Sequence, residues 1–417
     1  MNKQPSVICD SDPDAMSIDS ALQRIASLVV PLESKEIIDC DRAQSRVSAE
    51  NILSPFSVPS FRASAMDGYA MRMADCMQPM TISGQSLAGH PGEDRIPAGT
   101  CQRITTGARV PDDAEAVVQQ ENVEKRENEI IVSHAPAAGL NIRMPGSDCK
   151  QGACLLPAGC VLGAAQLALL AAHGIRRITV RKLLKVAVFS TGDELINPGD
   201  TRKDGLIHDA NRPLIKALLN NPAIEVLDLG IAKDSVEEIE STLGLSAEAD
   251  LIVSSGGVSV GDADHVREVL DRCGDIDLWK IAMKPGRPLT FGIINKRTPY
   301  FGLPGNPVSA AITSLFFVRP AIARLLGLEL NVPPPLHLAL QEDLHKNPGR
   351  LEYQRGRMIC KSKDEWWVST TGIQDSHVLS SLNSANCLIE LPVESCGAKA
   401  GDKVKVIPFS HFKGDLL

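Results

Sequence analysis

The chain has 417 residues, 43% of them hydrophobic, and a formal net charge of −8 at pH 7. This length exceeds what one compact core usually needs, so we expect two to four domains. The acidic balance argues against broad binding to nucleic acid or to an anionic membrane, because both need a basic face. The apolar stretch 161–175 is too short to span a bilayer, and residues 1–16 lack the apolar core of a signal peptide, so we expect a cytoplasmic protein with a frayed N-terminus.

The first 180 residues predict helices on both sides of a β segment. Residues 16–32 predict a helix, since Ser17 can cap it and apolar side chains recur at helical spacing. Glycine and proline punctuate short apolar runs over 80–141, which is typical of a small β domain. An Ala/Leu-rich helix is predicted at 162–173. We therefore expect the β segment to be inserted into a helical domain.

Strands and helices alternate over residues 185–328. The predicted strands are 186–189, 224–231, 251–253 and 300–303, and a long helix follows at 308–326. This alternation predicts a doubly wound, mostly parallel sheet, in which ligands bind at the carboxyl ends of the strands. From about residue 331 the pattern returns to alternating strands, which indicates a small all-β C-terminal domain.

The stretch 250–288 combines features of an anion-binding site. Ser254-Ser255-Gly256-Gly257 follows a buried strand, and adjacent glycines there let backbone N–H groups face an anion. The charged side chains of ligand type that follow include Asp262, Asp264, Lys280, Lys284 and Arg287. A plain glycine-rich connector is the less favoured interpretation, because several ligand-type features would have to coincide. We expect a site for a phosphorylated ligand with a divalent metal.

Further carboxylates follow the neighbouring strands, namely Asp193, Glu194 and Asp234. Because parallel strands end at one edge, these carboxylates should lie close together and repel unless a cation such as Mg²⁺ joins them. The chain has no G-x-x-x-x-G-K-[ST] loop, no G-x-S-x-G elbow and no credible nucleophile. The expected mechanism is therefore positioning plus electrostatics.

Ordinary structural interpretations stay open for several of these residues. Asp67-Gly68 is a turn dipeptide, so Asp67 by itself is most simply a corner between strands. Asp234 and Asp262 each fit the N-cap of a helix, and so does Asn211. His208 is expected to make a structural hydrogen bond.

Five motifs occur in a fixed order along the chain. They are S-A-M-D-G-Y-A at 64–70, S-T-G-D-E-L at 190–195, S-S-G-G-V-S-V-G-D-A-D at 254–264, K-I-A-M-K-P-G-R-P at 280–288 and G-L-P-G-N-P-V-S at 302–309. Together they resemble the molybdopterin molybdenumtransferase (MoeA) family, which is related to the E domain of gephyrin and of its plant counterpart. The resemblance runs from about residue 15 to the end.

The resemblance implies a domain order and a set of partners. The implied domains are an elongated helical and β N-terminal domain (15–57 and 143–182), an inserted β domain (58–142), a molybdopterin-binding α/β domain (183–328) and a C-terminal β-barrel-like domain (329–417). It also implies a homodimer whose active site is shared across subunits. Transient contacts with a molybdopterin adenylyltransferase and with cofactor acceptors are implied, without nucleic acid or membrane.

The resemblance further implies insertion of molybdate into adenylylated molybdopterin, with Mg²⁺ and release of AMP. The catalytic residues it implies are Asp67, Glu194, Asp234, Asp264, Lys280 and Lys284, of which Asp234, Asp264 and Glu194 would hold the metal. The residues implied to bind the cofactor or molybdate are Thr106, Ser255, Gly256, Gly257, Arg287, Pro304, Pro307, Ser309, Arg355 and Ser376. Arg287 stands where many relatives have Lys. The positive charge is kept, but a planar guanidinium that can donate two parallel hydrogen bonds replaces a single ammonium group.

Two rival functions remain. A molybdopterin adenylyltransferase shares the α/β domain and an SGG-type loop, but it does not need the 180 residues that precede this domain or the β domain that follows. A non-catalytic scaffold like the gephyrin E domain belongs to another class. Substrates separate the three: ATP for the adenylyltransferase, molybdate for the molybdenumtransferase, and neither for a scaffold.

Overall fold

The computed structural model describes residues 12–257, 265–330, 332–362 and 365–413. The chain divides into two compact units, the first formed by residues 1–49, 159–163 and 179–417 and the second by residues 50–158 and 164–178. The α-helices of the described residues are α1 (Ile18–Leu28), α2 (Ala164–Ala172), α3 (Asn211–Leu218), α4 (Val236–Leu245), α5 (His265–Cys273), α6 (Pro307–Thr313), α7 (Arg319–Leu325), α8 (Leu379–Asn383) and α9 (Ser410–Lys413). The four-domain division remains a prediction.

The second unit is built mainly from strands, as the punctuated pattern over 80–141 predicts. The strands before residue 182 are β1 (Lys35–Asp39), β2 (Ile52–Leu53), β3 (Ala63–Ser64), β4 (Gly68–Met71), β5 (Met80–Ser86), β6 (Thr100–Ile104), β7 (Ala116–Gln119), β8 (Val123–Arg126), β9 (Glu129–Val132), β10 (Ile142–Arg143), β11 (Cys154–Leu156) and β12 (Arg177–Arg181). Six of them form one sheet in the order β7-β4-β6-β5-β9-β8. Tyr69, Met71, Met80 and Ile130 lie in the core against it.

The first unit contains the predicted α/β sheet. Its strands are β13 (Leu184–Thr191), β14 (Leu195–Ile196), β15 (Ile207–His208), β16 (Ile224–Ala232), β17 (Leu251–Ser255), β18 (Gly274–Lys280), β19 (Met283–Lys284), β20 (Pro288–Ile294) and β21 (Thr298–Leu303). The sheet order is β16-β13-β17-β21-β20-β18. Pairing is parallel from β16 to β21 and antiparallel from β21 to β18.

Both faces of this sheet are buried, which explains the continuous apolar runs in its strands. Val186 and Val188 of β13 belong to one core cluster together with Ile215 of α3. Ala187 and Phe189 belong to a second cluster with Ile239 of α4. Helices therefore cover the two faces, and the doubly wound architecture is confirmed.

The segment Pro307–Leu325 is the predicted long helix, although it is not a uniform α-helix. A π-helical turn at Ser314–Val318 separates α6 from α7. Among the described residues, this segment alone is long and apolar enough to cross a membrane by length and composition. Because 78% of it is buried inside the fold, it is better explained as a core helix.

The C-terminal part of the first unit forms the expected barrel. Its strands are β22 (Leu336–Leu340), β23 (Leu344–His345), β24 (Leu351–Ser362), β25 (Glu365–Thr370), β26 (Cys387–Leu391), β27 (Gly397–Ala398) and β28 (Lys403–Pro408). The order β24-β25-β22-β28-β26 closes on itself because β26 also pairs with β24. Strand β19 joins the edge of this sheet and pairs Lys284 with Glu352.

Two of the three possible helix caps are wrong. Asn211 is the first residue of α3 rather than its cap, and its backbone N–H donates to Oδ1 of Asp209. Ser235, not Asp234, caps α4 by accepting a hydrogen bond from the backbone of Glu238. Asp262 lies outside the described residues.

Candidate active site

The loops that follow the parallel strands meet at the carboxyl edge of the sheet. Thr191, the last residue of β13, donates from Oγ1 to Oδ1 of Asp234 at 2.5 Å, beyond the end of β16. The backbone N–H of Asp234 in turn donates to Oδ1 of Asp193 at 3.3 Å. The backbone N–H of Gly256, after β17, donates to the carbonyl of Leu303 at the end of β21. The structure thus confirms that these loops are neighbours.

The glycine pair after β17 is required by close packing. Gly256 has φ +94° and Gly257 has φ +64°, a region that side-chain-bearing residues rarely adopt. A Cβ on Gly256 would lie 2.3 Å from the carbonyl oxygen of Thr191, and one on Gly257 would lie 2.4 Å from Cγ2 of Val266. The loop therefore keeps this path, packed against Thr191 and Val266, only with glycine at both positions.

A buried amide ties two of these loops together. Nδ2 of Asn211 donates to Oγ of Ser255 and to the carbonyl of Gly305, both at 2.7 Å. Asp209 fixes this amide by accepting from Oγ of Ser190 and from the first backbone N–H groups of α3. Oγ of Ser255 also contacts the carbonyl of Pro304 at 3.3 Å. Asn211 thus sets the distance between the loop at 255–257 and the turn at 304–307.

The exposed acids at this edge offer oxygen ligands, which Mg²⁺ prefers. Asp234 and Glu194 are both exposed, and the Glu194 carboxylate lies over Gly192. Asp264, the third acid predicted to hold the metal, lies outside the described residues. Residues 12–257, 265–330, 332–362 and 365–413 contain no complete group of three His, Cys, Asp or Glu side chains arranged for a metal. Asp234 and Glu194 offer the carboxylate oxygens that Mg²⁺ prefers, and their role as metal ligands remains a prediction.

Three cations lie on the stretch from the end of β18 to the start of β20, and each is paired with a carboxylate. Lys280 ends β18 and has its Nζ 3.9 Å from Oδ2 of Asp12, which also accepts a hydrogen bond from Arg287. Nζ of Lys284 lies 3.4 Å from Oε2 of Glu352. The hydrogen bond from Arg287 is the main reason that the pKa of Asp12 is lowered. The expectation of a frayed N-terminus is therefore wrong for residues 12–16, and residues 1–11 lie outside the described residues.

The turn at 304–307 also connects to the C-terminal barrel. Pro304 follows β21, and Pro307 is the first residue of α6. The backbone N–H of Val308 donates to the carbonyl of Ser376 at 3.1 Å, which places Ser376 beside the start of α6. Ser309 lies in that first turn and is only 4% exposed. Its predicted contact with molybdate remains a prediction.

Arg355 is built into the loop that carries Ser376. It is 1% exposed, its Nε donates to Oγ of Ser381, and an Nη donates to the carbonyls of Ile373 and Asp375. Burial lowers the pKa of Arg355 to about 10, so the guanidinium is still charged at neutral pH. The structure shows Arg355 shaping this loop, and any direct contact with an oxyanion remains a prediction.

Asp67 and Thr106 lie in the second unit, where the fold pairs them. The backbone N–H and Oγ1 of Thr106 donate to Oδ1 of Asp67 at 2.7 and 2.8 Å. These two bonds, backbone first, lower the pKa of Asp67. Both residues are exposed. Asp67 is thus held ionised at the surface.

Family comparisons match nearly the whole chain. Residues 16–174 match the MoeA N-terminal region (domain I and II), residues 187–324 a probable molybdopterin binding domain, and residues 337–409 the MoeA C-terminal region (domain IV). A molybdopterin molybdenumtransferase of Haemophilus influenzae is 40% identical over 404 residues, 96% of this chain and 100% of that protein. The chain belongs to the MoeA family.

Other relatives and a solved structure agree. Gephyrin of Dictyostelium discoideum is 34% identical over 89% of this chain and 59% of that protein. A crystal structure of a molybdopterin biosynthesis MoeA protein from Pyrococcus horikoshii has a TM-score of 0.80 at 28% identity, covering 94% of this chain and 100% of that one. Membership of the MoeA family, with its fold and its transferase class, is therefore confirmed.

The sequence does not indicate several residues that hold the candidate site together. The sequence indicates Asn211 only as a possible helix cap, because its partners Ser255 and Gly305 lie 44 and 94 residues away and no local pattern joins them. Asp12 and Glu352 were missed because their cation partners lie far away in sequence. Thr191 was part of a recognised motif but received no role.

Proposed function

We propose that this MoeA-family chain inserts molybdate into adenylylated molybdopterin, with cleavage of the adenylate and release of AMP. The observation that carries the proposal is the carboxyl edge of the α/β sheet, where the glycine loop, exposed acids and the ends of four strands meet. The relative that bears this activity in its name matches over its whole length. We place the reaction in the cytoplasm.

The glycine loop and its neighbours would bind and orient the phosphates. Gly256 and Gly257 let the loop pack closely against Thr191 and Val266, and Asn211 holds Ser255 against the turn at Gly305. Fixed dipoles and a fixed geometry favour the reacting arrangement without reorganisation during the step. Mg²⁺, held by Asp234 and Glu194 together with Asp264, would neutralise phosphate charge.

The cations would bind the tetrahedral oxyanion and offset its charge. Lys280, Lys284 and Arg287 lie on neighbouring segments between β18 and β20. Ser309, in the first turn of α6, and Ser376, in the loop beside it, would donate hydrogen bonds, while Arg355 holds the loop of Ser376 in place. Charge-assisted hydrogen bonds of this kind are stronger than neutral ones.

The proposal includes a homodimer in which Asp67 and Thr106 of one subunit complete the site of the other. Two features support this: the pair is exposed, and Asp67 is kept ionised, as a residue facing a ligand or metal would be. Transient contact with the adenylyltransferase that supplies the substrate and with cofactor acceptors belongs to the same proposal.

A defined assay tests the function. Purified protein is mixed with adenylylated molybdopterin, Mg²⁺ and molybdate, while AMP release and activation of a cofactor-free molybdoenzyme are followed. We expect AMP release that depends on molybdate, together with enzyme activation. A folded protein that gives neither signal would exclude the molybdenumtransferase activity.

The similarity to gephyrin supports a scaffold as second candidate. A scaffold would bind a peptide partner and consume no molybdate, so the same assay separates the two. ATP consumption with molybdopterin, without molybdate dependence, would instead indicate the adenylyltransferase.

A further inference from the structure

One carboxylate of the chain itself occupies the cation pair of the candidate site. Oδ2 of Asp12 accepts a hydrogen bond from Arg287 and lies 3.9 Å from Nζ of Lys280. The Asp12 side chain is 14% exposed, whereas those of Lys280 and Arg287 are 49% and 41% exposed. The Asp12 carboxylate thus lies between two cationic side chains that are themselves partly exposed to solvent.

The segment that carries Asp12 is anchored beside the cations. The backbone N–H of Met16 donates to the carbonyl of Lys280 at 2.7 Å, and Met16 accepts from the N–H of Ala282 at 2.8 Å. Upstream of this anchor, the N–H of Ala15 donates to the carbonyl of Asp12, and the N–H of Asp14 donates to Oδ1 of Asp12. Asp12 therefore belongs to a short turn attached to the site through Met16.

The third cation has a different kind of partner. Glu352, which pairs with Lys284, lies within β24, is 5% exposed and accepts a further hydrogen bond from Gln354. Its position is fixed by pairing on both sides of the strand. Glu352 is therefore a permanent support for Lys284, whereas Asp12 can leave by opening one turn.

We propose that Asp12 is an internal substitute for the oxyanion: it occupies the subsite of Lys280 and Arg287 and is displaced when a tetrahedral dianion binds there. The ligand is molybdate or the diphosphate of the adenylylated substrate, each of which carries two negative charges on the oxygens of tetrahedral centres. Asp12 thereby sets the anion affinity of the site. This inference rests on the proposed function, because it takes Lys280 and Arg287 as anion-binding residues.

The physical balance favours exchange. A dianion gains more from two cations than a single carboxylate does, because Coulomb energy scales with the product of the charges. Ion pairs exposed to solvent are individually weak and are screened by salt, so opening the Asp12 pair is inexpensive. Internal competition by one carboxylate should weaken anion binding about fivefold at low salt.

The test compares Asp12→Asn with Asp14→Asn in the full-length chain. Asp14 is exposed and two residues away, so both variants remove one negative charge from the same turn. Isothermal titration at low salt measures the Kd of molybdate and, in a separate series, of inorganic phosphate. We expect Asp12→Asn to tighten binding of the relevant oxyanion about fivefold and Asp14→Asn to leave it within about twofold. In a Lys280→Met background, the effect of Asp12→Asn should shrink.

A second measurement uses the unmodified protein. Displacement of Asp12 breaks the hydrogen bonds that the N–H groups of Asp14 and Ala15 make to it. Hydrogen exchange at these two groups should therefore become faster when the oxyanion is added. Unchanged or slower exchange would contradict displacement.

The outcomes separate this inference from the proposed function. Equal Kd values for wild type and Asp12→Asn, equal tightening by Asp14→Asn, or no oxyanion binding at all would each overturn the role of Asp12. Molybdate-dependent AMP release, measured in parallel, decides the function independently. If Asp12→Asn tightens the binding of molybdate but not of inorganic phosphate, Asp12 competes with molybdate. If it tightens the binding of phosphate alone, the subsite binds the phosphates of the substrate.

Discussion

At the scale of single residues, Asp67 receives two hydrogen bonds from one neighbour. Thr106 donates both its backbone N–H and its hydroxyl to the same oxygen, Oδ1. The second carboxylate oxygen is not used by this pair. Because the bonds stabilise the charged form, the pKa of Asp67 is lowered and the group is ionised throughout the neutral range.

Replacing Asp67 by Asn tests whether its negative charge is needed for activity, because the hydrogen bonds that hold the turn can be kept. The Asn oxygen can still accept from Thr106, so we expect the free energy of unfolding to change by less than about 0.5 kcal/mol. Molybdate-dependent AMP release should fall about a hundredfold, because the negative charge is lost. Asp94→Asn, another exposed acid of the second unit, is the control. Activity within twofold of wild type would make Asp67 a turn residue.

Asn211 offers a second prediction at this scale. Asn211→Ala removes one buried hydrogen bond, to Ser255, and one partly buried, to Gly305, and should cost about 1–3 kcal/mol in positioning of the loops. We expect kcat for AMP release to fall about tenfold or more, with a smaller change in the KM for molybdate, whose cations lie elsewhere.

The matched control for this change is Asn220→Ala, because Asn220 is exposed and lies just beyond the end of α3. It should leave both kinetic constants unchanged. If Asn211→Ala lowers the melting temperature without lowering kcat at a temperature where the protein is folded, its role is only structural.

At the scale of elements, the strands of the α/β sheet were predictable because burial on both faces leaves continuous apolar runs. The run predicted at 251–253 extends to Leu251–Ser255, and that at 186–189 extends to Leu184–Thr191. The caps were less predictable: Asn211 and Asp209 are both suitable caps, and only the packing of α3 shows which one accepts. Asp12 could not be predicted at all, since its partners lie more than 260 residues away and nothing local signals them.

The loop after β17 gives a prediction at this scale. Gly256→Ala would place a Cβ 2.3 Å from the Thr191 carbonyl in a left-handed conformation, so we expect a loss of about 3 kcal/mol in the free energy of unfolding. Gly305→Ala is the control, since its Cβ would lie 4.0 Å from the Cα of Gly256, an ordinary contact. Urea unfolding followed by circular dichroism measures both variants. Equal stability of the two would show that the loop relaxes easily.

At the scale of the whole molecule, the site of the first unit is assembled from segments spread over most of the chain. The segments run from Asp12, through the strand ends at 191–194 and 255–257, to the barrel loop at 373–376. No local pattern joins these segments. Their grouping into one site was therefore predicted from the resemblance of the ordered motifs and not from hydrophobic periodicity. In the proposed homodimer, Asp67 and Thr106 of the second unit would add residues from the other chain to this site.

The proposed sharing of the active site predicts complementation between two inactive subunits. Asp67→Asn and Lys284→Ala place one defect in each unit of the chain. In a heterodimer of the two variants, one site combines both defects and the other contains neither. Such heterodimers, isolated by two different affinity tags, should therefore regain about half of the wild-type AMP release, whereas each parent homodimer stays inactive.

A second heterodimer, with both substitutions in the same chain, distinguishes a shared site from a site confined to one chain. When both substitutions are in one chain and its partner is wild type, each shared site contains one defect, so activity should be nearly absent. A site confined to one chain predicts the opposite pattern: no activity in the first heterodimer and about half in the second. Light scattering must first show a particle of twice 44.7 kDa, because a monomer would exclude a shared site outright.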